Sequence, residues 1–178
     1  MGSDAIPEEL RIRVYPEKVL RRRAEKIARD GFGDELGQLA AAMARIMYES
    51  AGVGLAAPQV GVSLRLIVID PNPERRSPTF LVNPRIMDPS GRQSDFEGCL
   101  SLPGVSAEVN RAERLTVEFE NLAGKTESLD AKGLPARIVQ HEVYHLDGRL
   151  FIDRLGPEGR LEVRDDVRKL EEAAAGGK

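Results

Sequence analysis

Residues 134–145 read LPARIVQHEVYH, a stretch in which apolar and histidine side chains recur at helical spacing. Positions i, i+4, i+7 and i+11 of this pattern are Leu134, Ile138, His141 and His145, and side chains at this spacing share one face of a helix. Pro135 suits the first turn of that helix, where its missing N–H costs no hydrogen bond. The pattern predicts a helix that begins near residue 134 and ends before Gly148.

Upstream of this helix, the sequence contains four segments typical of β-strands. In the third of them, apolar side chains alternate with polar ones, which predicts a strand with one exposed face. The loop NLAGK at 121–125 contains the glycine typical of a hairpin, so we expect neighbouring strands to be antiparallel. The four predicted strands are RLIVID at 65–70, TFLVNP at 79–84, LTVEFEN at 115–121 and a short segment at 127–131.

Three more helices are predicted outside these segments. Pro16 opens the first, which runs through Ile27, and Asp34 caps the second, an amphipathic helix that runs to about Ser50. The last covers roughly residues 158–170. Because helices precede and follow the strands, the order indicates an α+β fold rather than alternating βαβ units. We expect antiparallel strands packed around a central helix that carries both histidines, with an N-terminal helical part and a C-terminal helix.

Length and composition limit the classes of protein to which the chain can belong. Its 178 residues fit one domain, predicted over 1–171 with a frayed tail over 172–178. Lys and Arg number 26 against 29 Asp and Glu, so the basic excess of a DNA-binding protein is missing. No run approaches the ~18 apolar residues that cross a bilayer, and residues 1–10 lack the features of a signal peptide. With Cys99 as the single cysteine, we expect a cytoplasmic protein without disulfides.

Both histidines of the chain lie in one string, HEVYH at 141–145. Histidines four positions apart project from the same helix face about 6 Å apart along the axis, so both rings can reach one divalent cation. Glu142 is turned about 100 degrees from His141 and can reach a water molecule beside the cation. A packed helix face, or a metal site that only stabilises the fold, would give the same spacing. The shortage of other ligands favours catalysis, because structural sites usually close with four protein ligands.

The sequence leaves the third metal ligand open, since Cys99 or a carboxylate could supply it. Cys99 lies in EGCLS at 97–101, which is followed by a Leu-Pro-Gly turn signal, so it belongs to a strand end or a turn. Taken alone, it is more typical of a buried structural cysteine. The segment GVGLAAPQ at 52–59 contains small residues that permit close backbone approach, and taken alone it predicts a tight loop. It lacks the spacing of a phosphate-binding motif.

Three strings, GVGLAAPQ at 52–59, EGCLS at 97–101 and QHEVYH at 140–145, together resemble the peptide deformylase family. The resemblance extends to VYPEKVLRRRAEKI at 14–27 and HLDGRLFIDRL at 145–155. It implies a monomeric α+β enzyme that removes the N-formyl group from the N-terminal formyl-methionine of newly synthesised polypeptides and releases formate. It also implies one divalent metal ion, Fe2+ natively, with Zn2+, Ni2+ or Co2+ as substitutes.

The same resemblance implies roles for residues within these strings. Glu142 would be the general base and acid. The Gln59 side chain and the Leu100 backbone N–H would face the developing oxyanion. The segment 53–54 would pair with the substrate backbone as an added strand. The implied metal ligands are Cys99, His141 and His145, and the implied substrate-binding residues are Val53, Gly54, Glu97, Gly98, Leu134 and Ile138.

Two residues are unexpected in this setting. Arg137 falls in a wall that should be apolar, and we expect its stem to line the rim while its guanidinium reaches solvent or a carboxylate. Tyr144 stands where the family pattern HExDH has an aspartate. This departure leaves the ligands and the base untouched, and it raises the question of what satisfies a neighbouring cation, for which Arg111 is a candidate.

The expected partners are nascent formylated polypeptides and the ribosome near its exit tunnel, with no DNA, no membrane and a bacterial-type cytoplasmic location. Two other functions remain open at this point. A zinc peptidase shares HExxH, although the length and the missing third His or Glu motif disfavour it. A noncatalytic, metal-stabilised binding module is the other. The C-terminal helix mixes both signs of charge, which indicates a solvated face rather than a basic docking surface.

Overall fold

The structure of the protein is a computed structural model that describes residues 10–176. Residues 1–9 and 177–178 lie outside the described part. The expectation that residues 1–10 are not a signal peptide therefore falls almost entirely outside it. Within the described part, one α-helix precedes seven β-strands and two α-helices follow them. This order confirms the predicted α+β class.

The seven strands form two antiparallel sheets. They are β1 (Gly54–Ala56), β2 (Leu66–Ile69), β3 (Thr79–Ser90), β4 (Gln93–Cys99), β5 (Leu102–Arg111), β6 (Arg114–Glu120) and β7 (Thr126–Lys132). The larger sheet has the order β1-β2-β3-β6-β7, and the smaller one is the hairpin β4-β5. The predicted strands correspond to β2, β3, β6 and β7, whereas β1 and the β4-β5 hairpin were not predicted.

The three helices are α1 (Asp34–Glu49), α2 (Leu134–Leu146) and α3 (Pro157–Gly176). The helix that carries both histidines is confirmed at both ends. Helix α1 is confirmed as well, although Asp34 is its first helical residue and Gly33 occupies the cap position. Its buried positions recur at spacings of three and four, because only one face of this helix contacts the rest of the protein.

The predicted helix over 16–27 is wrong, since only a 3-10 turn over Lys18–Arg21 forms there. The following backbone groups bond to other elements instead of to the preceding turn. Glu25 donates to the carbonyl of Ser63 and accepts from the N–H of Arg65, in a bridge beside β2. Tertiary hydrogen bonds therefore override a local sequence pattern that favours a helix.

The C-terminal helix continues to Gly176 within the described residues, so the predicted end near Leu170 is wrong, while the frayed tail over 172–178 stays a prediction. The run of three alanines after Glu172 has high helix propensity. In addition, the hydroxyl of Tyr15 donates to a carboxylate oxygen of Glu171 at 2.7 Å. This contact ties the end of α3 to the N-terminal part of the chain.

Helix α2 packs across the larger sheet and thereby places the histidines. Ala136, Val139 and Leu146 are fully buried in one cluster with Ile67 and Val117 of the sheet. Burial of each valine, leucine or isoleucine side chain of this cluster stabilises the folded state by about 1.5–3 kcal/mol. A second cluster surrounds α1, and a third joins β5 to α3. The opposite face of α2 turns towards the β4-β5 hairpin.

Replacement of a buried side chain of α1 should test this packing. Met43 is fully buried, so Met43→Ala is expected to lower the free energy of unfolding by about 2–5 kcal/mol. The matched control is Leu161→Ala on α3, where the side chain is 65% exposed and a change within about 0.5 kcal/mol is expected. Urea denaturation measures both. Equal losses in the two variants would contradict the assignment of α1 to the core.

Candidate metal centre and active site

Three potential metal ligands converge where the end of β4 meets α2. The Sγ of Cys99 lies 3.3 Å from Nε2 of His145, and the Nε2 atoms of His145 and His141 are also 3.3 Å apart. All three atoms lie within 4.8 Å of one another. One thiolate and two imidazoles suit a divalent transition-metal ion, and three protein ligands leave a coordination position free for chemistry. The donor set therefore fits the metal that the sequence implies.

The environment of His141 favours a positive charge, whereas that of His145 disfavours one. Burial lowers the pKa of His145 well below its usual value. Burial also lowers the pKa of His141, but hydrogen bonds with Cys99 and Glu97 outweigh it and raise the pKa to about 10. An environment that stabilises a proton on His141 also stabilises a cation. The thiol and carboxyl groups around the rings are the source of this preference.

Glu97 orients the ring of His141 from behind. Its Oε2 lies 2.9 Å from Nδ1 of His141, and its two oxygens accept from Nε and Nη2 of Arg111 at 2.9 and 2.8 Å. Burial raises the pKa of Glu97, but the hydrogen bonds from Arg111 and His141 outweigh it and hold the pKa well below its usual range. The carboxylate is therefore ionised, and by binding Nδ1 it directs Nε2 of His141 towards Cys99 and His145.

Glu142 is a second buried carboxyl group that lines the site. Its Oε2 is buried and has no hydrogen-bond partner among the described residues. Burial raises the pKa of Glu142 to about 7. A carboxyl group with a pKa near neutrality can both accept and return a proton at physiological pH.

The amide of Gln59 is fixed on both sides. The backbone N–H of Ala56 donates to Oε1 at 2.8 Å, and Nε2 donates towards Ser101 Oγ at 3.3 Å and Cys99 Sγ at 3.5 Å. The donor end of the amide therefore points to the ligand cluster. Gln59 is 2% exposed and has little freedom to turn away.

A cavity of about 410 Å³ opens beside these residues. All residues predicted for the site line it except His145, which belongs to the ligand cluster but is buried. The lining also includes Ala51, Gly52, Phe96 and Arg137. Phe96 was not predicted, and its only sequence signal is an aromatic residue next to EGCLS. The lining residues from the predicted set are Val53, Gly54, Gln59, Glu97, Gly98, Cys99, Leu100, Leu134, Ile138, His141 and Glu142.

The two unexpected residues both contact this network. Arg137 donates from Nη1 to Oε1 of Glu97 at 2.6 Å, which confirms the expectation that its guanidinium reaches a carboxylate. The guanidinium carbon of Arg111 lies 5.6 Å from the centroid of the Tyr144 ring, so Arg111 is one of the cations beside this ring. Arg149 and Arg154 lie at the same distance from the ring. A cation–π contact therefore stands where the family pattern has a carboxylate.

Comparison with known proteins identifies the family. The model of the polypeptide deformylase family matches residues 9–160. The chain belongs to this family. It is 47% identical over 143 residues to the peptide deformylase of Dictyoglomus thermophilum, which covers 80% of this chain and 90% of that protein. It is 44% identical over 163 residues to the peptide deformylase of Acidobacterium capsulatum, with coverages of 89% and 94%.

Solved structures of deformylases share the fold. A plant peptide deformylase superposes with a TM-score of 0.91 at 34% identity, covering 98% of this chain and 96% of that one. The enzyme of Plasmodium falciparum gives a TM-score of 0.88 at 36% identity, with coverages of 93% and 98%. The activity of the chain follows from its membership of the deformylase family: it removes the N-formyl group from N-terminal formyl-methionine. Within residues 10–176, no helix is long and apolar enough to span a membrane.

Gly54 should be indispensable because Glu142 lies against it. A Cβ at this position would stand 2.5 Å from Oε1 of Glu142 and 2.8 Å from Cγ2 of Ile138. Gly54→Ala is therefore expected to displace the carboxylate and to lower kcat/KM about 100-fold while the protein keeps its metal. The matched control is Gly37→Ala, where a Cβ meets nothing within 4 Å. Wild-type kinetics in Gly54→Ala would show that Glu142 does not depend on this contact.

Tyr144→Asp tests the cation–π contact with Arg111. The new carboxylate replaces the aromatic ring beside a buried guanidinium, so we expect the melting temperature or the zinc affinity to change more than the turnover of the fully metallated enzyme. Calorimetry and chelator competition measure the first two quantities. Tyr144→Phe keeps the ring and serves as the control. A large change in turnover at full metal occupancy would contradict this prediction.

Proposed function

We propose that Cys99, His141 and His145 hold one divalent cation and that Glu142 acts as the general base and acid in hydrolysis of the formyl amide. The convergence of the three ligand atoms beside a buried carboxyl group, whose pKa burial raises, supports these roles. A cation held there supplies Lewis acidity to the reaction. We expect Fe2+ natively, with Zn2+, Ni2+ or Co2+ as substitutes, because this mixed donor set accepts all four ions.

Glu142 moves the proton in this proposal. Its carboxylate accepts a proton from the attacking water and later returns it to the departing amine, which completes the hydrolysis and leaves formate to dissociate. The formyl carbon carries only a hydrogen atom, so attack on it meets little steric hindrance. The pKa of about 7 suits both halves of this transfer at neutral pH.

Gln59 and Leu100 stabilise the negative charge that develops on the formyl oxygen. The Gln59 amide is held by Ala56 and Ser101, so its donor is oriented before the substrate arrives. Leu100 follows Cys99 directly and lines the cavity, which supports this role for its backbone N–H. Donors fixed in advance cost little reorganisation as the charge develops.

The substrate occupies the cavity with its first side chain against apolar groups. Val53, Leu134 and Ile138 line that region and suit the flexible methionine side chain. Strand β1 lies at an edge of the larger sheet, so the segment 53–54 can pair with an extended peptide. Gly98 leaves room beside the ligand cluster, and the Glu97 stem adds to the wall.

Nascent formylated polypeptides are the partners in this proposal. We further propose that the catalytic unit spans residues 1–171, that it acts as a monomer in a bacterial-type cytoplasm, and that it meets its substrate near the ribosomal exit tunnel. Acidic and basic side chains of α3 pair with one another, as in Lys169 with Asp166 and Arg168 with Asp165. That pairing supports a solvated outer face for this helix rather than a nucleic-acid contact.

Two variants separate the proposed roles. Glu142→Ala is expected to retain one equivalent of metal and to lose turnover by about 100-fold to 10,000-fold, because it removes only the proton carrier. Cys99→Ala is expected to lose both metal and turnover. Formate release from formyl-Met-Ala-Ser and metal content by mass spectrometry measure the two quantities in protein prepared without oxygen.

The control for these variants is Glu108→Ala, which removes an exposed carboxylate from β5 and should behave as wild type. Wild-type turnover in either active-site variant would overturn the assigned role. Cleavage of internal peptide bonds by the wild-type protein, without formate release, would point instead to a metallopeptidase.

A further inference from the structure

Arg137 is a buried cation that the proposed reaction does not use. It lies in the first turn of α2 and is 5% exposed. It precedes His141 by four residues, so both side chains project from the same helix face. Part of Arg137 lines the substrate cavity, while its Nη2 is buried without a hydrogen-bond partner among the described residues. The guanidinium is therefore buried at a residue that borders the cavity.

The guanidinium of Arg137 joins three elements through one nitrogen. Nη1 donates to Oε1 of Glu97 on β4 at 2.6 Å and to the carbonyl of Val109 on β5 at 3.0 Å. A longer contact of 3.5 Å reaches the carbonyl of Asp95. Oε1 of Glu97 thus accepts from Arg137 and from Arg111, which leaves Oε2 to Arg111 and to the ring of His141.

Charge balance alone does not explain this arrangement. Arg111 pairs with both oxygens of Glu97 and already neutralises the carboxylate. A second buried guanidinium brings a large desolvation cost, and among the described residues Arg137 bonds to no carboxylate other than Glu97. A geometric role accounts for it, because two guanidiniums on different elements leave the carboxylate only one orientation.

We propose that Arg137 is a positioning residue of the metal centre, which fixes the Glu97 carboxylate and, through it, the ring of His141. Arg137 of α2 contacts Glu97 of β4, and Glu97 contacts His141, which again lies on α2. The helix therefore orients its own metal ligand through the strand that also carries Cys99. This role rests on the proposed metal site. It predicts that loss of the guanidinium loosens the metal even though no ligand is removed.

The experiment uses the full-length, zinc-loaded protein and four variants. Arg137→Met keeps an apolar stem of similar length, Arg137→Lys keeps the charge, Glu97→Gln removes the acceptor, and the last variant combines Arg137→Met with Glu97→Gln. The rate of zinc loss to excess chelator is measured well below the unfolding midpoint, together with kcat and KM for formyl-Met-Ala-Ser. Arg65→Met is the matched control, because Arg65 contacts the other end of α2 through Leu146 and Asp147.

Arg137→Met is expected to lose zinc roughly tenfold faster than wild type, with Arg137→Lys in between and Arg65→Met unchanged. In the Glu97→Gln background, Arg137→Met should add no further acceleration, because the two residues act in series. At full metal occupancy, kcat should fall while KM stays within about twofold. If Arg137→Met does not fold, an intermediate rate in Arg137→Lys carries the same prediction.

Zinc loss at the wild-type rate in both Arg137 variants would overturn the proposal. So would an equal acceleration with and without the Glu97 carboxylate, because that result would assign Arg137 to general packing of α2. Absence of formate release from the wild-type protein would count against the proposed function alone, since the rates of zinc loss would still decide the role of Arg137.

Discussion

The buried carboxylate of Glu97 joins the three elements that form the site. It accepts from Arg111 on β5 and Arg137 on α2, and it holds Nδ1 of His141. Hydrogen bonds from Arg111 and His141 outweigh the cost of burying it and hold its pKa well below the usual range, so it is ionised at neutral pH. Without this carboxylate, two buried cations would face each other across the hairpin and the helix, and the ring of His141 would lose its orientation.

The rest of the geometry combines an irregular strand end with a regular helix. In strand β4, Glu97 and Cys99 are two residues apart, and the pairing with β5 shifts register between Gly98 and Cys99. In helix α2, Arg137, His141 and His145 recur every four residues and share one face. The opposite face of α2 packs on the larger sheet, and this packing sets the distance between helix and hairpin. The proposed chemistry thus depends on hydrophobic burial on one side of the helix and on an ionic network on the other.

Sequence reasoning succeeded where local pattern and tertiary environment agree. The histidine helix, α1 and four strands follow from apolar periodicity, and HEVYH fixes two proposed ligands by spacing alone. The β4-β5 hairpin escaped prediction because QSDFEGC is mostly polar and mostly exposed. The helix predicted over 16–27 is wrong because the backbone there bonds to the loop before β2. Spacing alone left the third ligand open between Cys99 and a carboxylate, and only the family resemblance implied Cys99. The burial of Arg137 against Glu97 needed coordinates, since it joins residues 40 positions apart.

The coordination of a bound metal tests the central claim most directly. X-ray absorption spectra of the protein loaded with one equivalent of zinc would count sulfur and imidazole ligands. Convergence of Cys99, His141 and His145 predicts one sulfur at about 2.3 Å and two imidazole nitrogens at about 2.0–2.1 Å. Loss of the sulfur contribution in Cys99→Ser would complete the assignment. A wild-type spectrum with only nitrogen and oxygen ligands would contradict the claim that the end of β4 and helix α2 form one metal site.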